Sequence, residues 1–283
     1  MALATLKDVL ANRKECRAVG AFSTYDLFSA QGIIQGAEKE GLPVIAMLGA
    51  PVLAKTGNDY IAKNLICLAE KAKVPVVVFL DHAKDYATCL KAMQLGFSAV
   101  MIDGSHLSLE GNIQLTAKVV EAAQHLGISV EGELGALSGI EDGEEVKNAK
   151  MTDPTKVRQF VENTGIDALA VSIGNAHGLY KGEPNLNFEI LQQCEQNSPV
   201  PLVLHGGTGL TQQQFASAVQ YGIKKINIGT EIKKAYIEAF IAAQEQKPAA
   251  YDLIGIPQAC KEAVTGVAAE KLRFFATGWA SSI

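Results

Sequence analysis

Short runs of Val, Ile, Leu and Ala return along this chain from one end to the other, separated by stretches with helical patterning. The runs predict strands near Ala18–Ser23, Pro43–Leu48, Pro75–Leu80, Ala99–Ile102, Ser129–Glu133, Ala168–Ile173, Pro201–His205 and Lys225–Ile228. They are apolar throughout instead of alternating with polar residues, so both faces must be covered, as in a parallel sheet wrapped by helices. The segments between them supply the cover. Asp26 to Glu40 and Leu109 to His125 carry apolar residues at helical spacing, and Thr211 to Tyr221 opens on a capping threonine. Eight strand-then-helix units predict an α/β fold, a single closed (β/α)8 TIM barrel spanning residues 1–283. An open doubly wound sheet competes with it, but no Gly-x-Gly-x-x-Gly follows the first strand as a dinucleotide site would need.

Composition narrows the function classes. With 48% apolar residues in 283, the chain can bury one large core, and no Pro/Ser/Gly-rich linker divides it. A net charge of −5 argues against a nucleic-acid partner, which calls for a basic face. No apolar run approaches the roughly 18 residues of a membrane span, and the first residues lack the layout of a secretion signal. The five cysteines are widely spaced with no Cys-x-x-Cys, which suits reduced thiols in a cytoplasmic protein.

Chemistry gathers where the strands end. His82, His177 and His205 follow or lie near apolar runs, and glycine comes directly after two of them. Three imidazoles and one open position are the pattern of a catalytic metal site, and glycine lets backbone approach a ligand closely. His106, in a loop, and His125, at a helix end, lack that setting and are read as non-ligands. Asp81, Asp103 and Glu133 also close strands, as acceptors for ligating imidazoles or as alternative metal ligands. The turns Gly206-Gly207-Thr208-Gly209 and Asn227-Ile228-Gly229-Thr230 each lead into a helix, the arrangement that binds phosphate in barrels. Two polar stretches, Ser138 to Asp153 and Asn175 to Asn187, are expected as loops on the catalytic face, long enough to act as lids. Tyr251 to Phe275 is expected to be helical, in a capping or subunit-contact role.

Seven motifs, in order, carry a resemblance: Leu80-Asp81-His82, Asp103-Gly104-Ser105, Glu131-Gly132-Glu133-Leu134-Gly135, Gly139-Ile140-Glu141-Asp142-Gly143, His177-Gly178-Leu179-Tyr180-Lys181, His205-Gly206-Gly207-Thr208-Gly209 and Lys225-Ile226-Asn227-Ile228. Together they resemble the class II ketose-bisphosphate aldolases, which include fructose-bisphosphate and tagatose-bisphosphate enzymes. The resemblance implies Zn2+ held by His82, His177 and His205, with Asp103 and Glu133 around a second or alternate metal position. It implies that Asp81 shuttles the proton on the hydroxyl at the bond being cleaved. Glu141, on a mobile loop, exchanges the proton on the dihydroxyacetone phosphate carbon. Gly178, Lys181, Gly206, Thr208, Asn227 and Thr230 hold the phosphate of that half, with a monovalent cation (Na+ or K+) nearby. A homodimer or homotetramer is implied by the same analogy, with an accessory subunit if the enzyme is of tagatose type.

The chemistry supports this reading independently. Retro-aldol cleavage leaves a carbanion beside a carbonyl, which a lysine Schiff base or a Lewis-acid metal can stabilise. Strand ends bearing histidines favour the metal. The chain departs from the family's usual pattern at Ser23, where asparagine is common, and at Gly229; with Gly49, these are positions without a side chain long enough to reach a sugar. These departures bear on the sugar and not on the reaction; the resemblance implies fructose 1,6-bisphosphate as the substrate, with tagatose 1,6-bisphosphate or another phosphorylated ketose as the alternative. A metal-dependent barrel hydrolase would call for an early His-x-His pair that strand one lacks, and a non-catalytic aldolase-like subunit would have shed Asp81, His82 or Glu141.

Overall fold

In the computed structural model, which describes residues 3–11, 18–55, 57–141, 144–146, 149–178, 182, 184–246 and 251–277, every expected apolar run contains a strand. Eight strands close a parallel barrel: β1 (Val19–Ser23), β2 (Val44–Gly49), β3 (Val76–Ala83), β4 (Ala99–Ile102), β5 (Ser129–Leu134), β8 (Ala168–Val171), β10 (Leu202–Leu204) and β11 (Ile223–Ile228). They neighbour one another in that order, and β11 pairs back onto β1, with Val19 opposite Lys225 and Phe22 opposite Ile228. The fold is a (β/α)8 barrel.

Local chemistry sets the helix boundaries. Helix α2 (Leu27–Glu40) starts at Asp26, whose carboxylate accepts from Ser29 N while Ser29 Oγ accepts from the Asp26 N–H, and it stops at Gly41 in the left-handed region. Helix α6 (Leu109–His125) begins after Ser108, and α9 (Gln212–Gln220) after a Thr211–Gln214 capping box. The C-terminal helix α11 (Gly255–Thr277) lies against α2, and Gly36 permits the contact: a β-carbon there would sit 2.8 Å from that of Ala268. Among the described residues, no helix is long and apolar enough to cross a membrane.

Inside the barrel, side chains of one parity point to the axis. Val19, Ala21, Ile45, Met47, Val77, Phe79, Ala99, Met101, Ala168, Ala170 and Val203 form a buried cluster in the half nearest the strand starts. Its floor is sealed by α1 (Leu6–Ala11), whose Leu6, Val9 and Leu10 join the same cluster. The floor is pinned by Ala4 N donating to Val76 O at 2.9 Å and by a Lys7–Asp167 ion pair at 3.0 Å. This apolar base holds the strand ends at fixed spacing on the opposite face.

Two expectations need correction. Strand β3 does not stop at Leu80 but runs on through Asp81, His82 and Ala83. The two polar stretches are not wholly loops. Strand β6 (Ser138–Glu141) pairs antiparallel with β7 (Glu144–Val146) and parallel with β9 (Ala176–His177), making a small sheet outside the barrel. The first stretch satisfies its backbone largely by folding back on itself, and its β6 edge takes a non-local partner from the second, a pairing that local composition does not announce.

Candidate active site

The inward track of each strand turns polar near its C-terminal end. Continuing the parity of Val77 and Phe79 brings Asp81 inward, 4% exposed, in register with Gly49 of β2, which leaves the space beside it open. Continuing Met101 brings Asp103; continuing Val203 brings His205, fully buried. Glu131 and Glu133 on β5, and Lys225 and Asn227 on β11, are further buried polar pairs two residues apart on one strand face.

His82 breaks the parity. Its φ of +50 is left-handed, and the β3–β4 register shifts between Leu80 and Ala83. This bulge turns the imidazole to the same end of the barrel as Asp81, so both side chains serve one place although they are neighbours in sequence. Strain of this kind in a residue with a β-carbon persists where surrounding contacts hold it, and functional sites are where it collects.

Three imidazoles meet there. The ring centroids of His82 lie 4.8 Å from His177 and 4.7 Å from His205, and all three rings stand edge to face. His205 Nε2 is 2.9 Å from Glu131 Oε1, and His82 Nδ1 is 3.3 Å from Asp103 Oδ2 and 3.9 Å from Glu133 Oε2. A carboxylate acceptor on one ring nitrogen places the N–H there and leaves the other nitrogen a lone pair. The two remaining nitrogens, His82 Nε2 and His205 Nδ1, face each other at 2.8 Å. Nitrogens this close share a proton or a cation between them. Potential ligand atoms of His82, His177 and His205 all lie within 4.8 Å of one another, and so do those of His82, Asp103 and Glu133. The donor set thus fits zinc or a similar ion, with three imidazoles first and two carboxylates beside them.

The electrostatics agree with neutral imidazole and ionised acids. Burial pushes the His205 pKa down to about 4, against the opposing pull of Glu131. Burial raises the Asp103 carboxyl, but His82 and Ser105 outweigh it and hold the group well below its usual range. Glu131, wholly buried, is likewise pushed up by burial and pulled lower overall by Lys225 and His205.

Beside the histidines lies a cleft lined by His177, Gly178, Gly206, Thr208, Asn227 and Thr230. Five of the six residues expected to hold phosphate are therefore together, three of them glycine or threonine at the turns after β10 and β11. Gly206 has φ +64, and a β-carbon there would run into the Ala176 carbonyl, so only glycine lets the turn after β10 pack against the segment that carries His177. Glu231 N donates to Thr208 Oγ1 at 3.3 Å, tying the β10 turn to the first turn of α10 (Thr230–Gln246). Lys181 lies outside the described residues; Glu141 closes β6, and its side chain is outside the description as well. His106 and His125 belong to neither metal-compatible cluster.

Sequence reasoning passed over four residues. Glu131 accepts from His205, Lys225 pairs with Glu131, and Asn175 Nδ2 donates to His205 O at 2.9 Å. Lys233, on the first turn of α10, lines the phosphate cleft and sits 5.0 Å over the Tyr25 ring. For Glu131 and Lys225 a signal existed: a charged residue two positions from another polar one, inside an otherwise apolar strand, faces the same side.

Comparison with known proteins finds relatives along nearly the whole chain. Residues 4–278 match the family model for fructose-bisphosphate aldolase class II. A sulfofructosephosphate aldolase of Alkalicoccus urumqiensis is 38% identical over 97% of each chain. A probable fructose-bisphosphate aldolase of Bacillus subtilis (strain 168) is 37% identical over 97% of this chain and 98% of its own. The crystal structure of the YdjI aldolase from Escherichia coli K12 superposes with a TM-score of 0.85 at 32% identity, covering 97% of this chain and 98% of that one.

Proposed function

Since the chain belongs to the class II fructose-bisphosphate aldolase family, and so is an aldolase, we propose that it is a zinc enzyme that reversibly cleaves fructose 1,6-bisphosphate. The products would be dihydroxyacetone phosphate and glyceraldehyde 3-phosphate. One observation carries the reading: three imidazoles from separate strand ends converge beside Asp81, with ligand atoms all within 4.8 Å of one another. His82, His177 and His205 would hold the ion, and Asp103 and Glu133 would orient His82 or offer an alternate position. Zinc, when bound, would supply the Lewis acidity that a carbanion next to a carbonyl requires.

The chain's own groups supply the rest. The phosphate of the three-carbon half would lie against Gly178, Gly206, Thr208, Asn227 and Thr230, with Lys181 closing over it and a monovalent cation alongside. Asp81 would take the proton of the hydroxyl on the carbon being released. The carbon–carbon bond then breaks, its electron pair stays with the dihydroxyacetone phosphate half, and Glu141 protonates that carbon. We read residues 1–283 as one barrel domain in a cytoplasmic homodimer or homotetramer. Exposed apolar side chains on and beside the last two helices, among them Ile237, Phe240, Ile241, Leu253 and Ile254, support self-association.

A second reading keeps the reaction and changes the sugar. Ser23 Oγ lies 3.0 Å from where a Gly229 β-carbon would be, so the two departures from the family pattern adjoin across β1 and β11. Gly229 also lines the cleft, so the pair would leave room beside the bound sugar, and one relative is named for a sulfo-sugar. Epimers and distal groups are separated by a few polar contacts, so this corner is where selectivity would reside. A tagatose-type specificity would bring with it the question of an accessory subunit. The test is side-by-side cleavage of fructose 1,6-bisphosphate, tagatose 1,6-bisphosphate and sulfofructose phosphate by the zinc-loaded chain, with a chelator control. Chelator-sensitive release of dihydroxyacetone phosphate from fructose 1,6-bisphosphate fastest of the three is the expected result. Faster release from another sugar replaces the substrate, and no release from any overturns the reading.

A further inference from the structure

Beneath the histidines lies a buried charge that the reaction as described does not use. Lys225 is wholly buried, with its Nζ 2.9 Å from Glu131 Oε2, 3.2 Å from Glu131 Oε1 and 4.2 Å from the centre of the Phe79 ring. Its third polar contact is with Asn227 Oδ1, at 2.8 Å. A lysine ion-paired to a carboxylate offers donors only, so it dictates which end of the neighbouring carboxamide it meets. The oxygen of Asn227 must face Lys225, and the NH2 must face away. Asn227 is 3% exposed, it lines the cleft beside His177, and its Nδ2 makes no hydrogen bond among the described residues. A buried amide donor left without an acceptor is unfavourable, and sites that bind polar ligands are where one is kept.

We infer that Lys225 is a positioning residue: it locks the Asn227 carboxamide so that Nδ2 is presented as a ready donor to an oxygen of the bound three-carbon phosphate. The same ammonium neutralises Glu131, which sets the tautomer of His205. One buried ion pair thus orients a metal-compatible imidazole on one side and a ligand-facing amide on the other. The inference rests on the aldolase reading for the identity of its ligand, dihydroxyacetone phosphate.

The test is a double-mutant cycle read by calorimetric binding of dihydroxyacetone phosphate to the zinc-loaded chain. Asn227→Ala and Lys225→Met are each expected to weaken binding about tenfold or more, the worth of one hydrogen bond to a charged partner. Compared at equal zinc occupancy, so that the Glu131–His205 side is held constant, the double variant is expected to bind no more weakly than Asn227→Ala alone, because toward this ligand Lys225 acts through Asn227. Asn227→Asp keeps an acceptor for Lys225 but replaces the outward donor, so it should still fold with Lys225 paired and lose binding about tenfold. Should Lys225→Met fail to fold because Glu131 is left bare, Lys225→Met/Glu131→Gln against Glu131→Gln serves the same cycle without a lone buried charge. Additive losses, or wild-type binding in Lys225→Met or Asn227→Asp, overturn the inference while the wild-type chain still cleaves its sugar. A wild-type chain that neither binds dihydroxyacetone phosphate nor cleaves brings down the functional reading, and the inference with it.

Discussion

The two ends of the barrel interior are made by the same strands, in the same parity, from opposite kinds of residue. Toward the strand starts the inward positions are Val, Ala, Ile, Met and Phe, closed below by Leu6, Val9 and Leu10. Toward the strand ends they are Ser23, Asp81, Asp103, Glu131, Glu133, His205, Lys225 and Asn227, all 9% exposed or less. Burying apolar area stabilises the first layer, whereas burying polar groups disfavours the second unless each finds a partner. The lower end supplies rigidity and the upper end supplies chemistry, and Lys225 over the Phe79 ring marks the seam. The division predicts that substitutions at the two ends fail in different measurements.

The largest effect belongs to the upper end. Asp81→Ala should cut turnover about 100- to 10,000-fold, the usual range for removing a positioned acid–base group. Its zinc content and denaturant midpoint should stay near the wild type. Turnover within a fewfold of wild type would remove Asp81 from its role; a collapse in stability would erase the division itself. The converse is Met47→Ala, in the lower layer and 1% exposed. It should lower unfolding free energy by about 2–5 kcal/mol, as core truncations do, while activity per folded molecule is kept. Equal loss in both measurements would mean the two layers are coupled.

How much of this could be read from the chain follows the same line. The eight strands were legible because doubly buried strands are continuous apolar runs, and His177 and His205 were legible because a histidine beside such a run stands out. Glu131 and Lys225 escaped because each sits inside a motif whose neighbours drew the attention, Glu133 and Asn227. Inward parity, counted up from Val203 to His205 or from Phe79 to Asp81, marks such positions. His82 could not have been placed by parity at all, since a left-handed backbone at one residue resets the count. The small sheet of β6, β7 and β9 was hidden for a different reason: no run of apolar residues marks the β6–β7 hairpin, and β9 joins it from far along the sequence.

Proton uptake gives an intermediate effect, on the chelator-treated chain. His205 stays neutral in the fold down to about pH 4, whereas the same residue in an unfolded chain takes a proton below roughly pH 6.5. Protons therefore favour the unfolded chain between those values. Stability should be full above about pH 6.5 and fall as pH drops toward 4, by about 3 kcal/mol. Below that, protonation of Glu131 and Asp103, both held ionised by their partners, continues the loss. Urea midpoints from pH 7 to pH 4 check the slope, and His205→Phe should flatten it. A flat wild-type profile would mean that this imidazole is not shielded as its burial implies.

The smallest effect tests the seam most sharply. His82 carries its imidazole on a left-handed backbone, and that conformation disfavours any residue with a β-carbon by about 1–2 kcal/mol. Glycine adopts it freely, so His82→Gly relieves strain at the moment it deletes a ring that meets His177, His205 and Asp103 and is 14% exposed. The two contributions oppose, and the metal-free chain should change in stability by less than about 1 kcal/mol. Metal binding, by contrast, should weaken severely, since His82 belongs to both metal-compatible clusters. A stability loss as large as that of Met47→Ala would show that the upper layer carries the fold as well as the chemistry. A small change with lost metal is what a site built on stored backbone strain requires, because the strain at residue 82 is tolerated only for the direction in which it aims the imidazole.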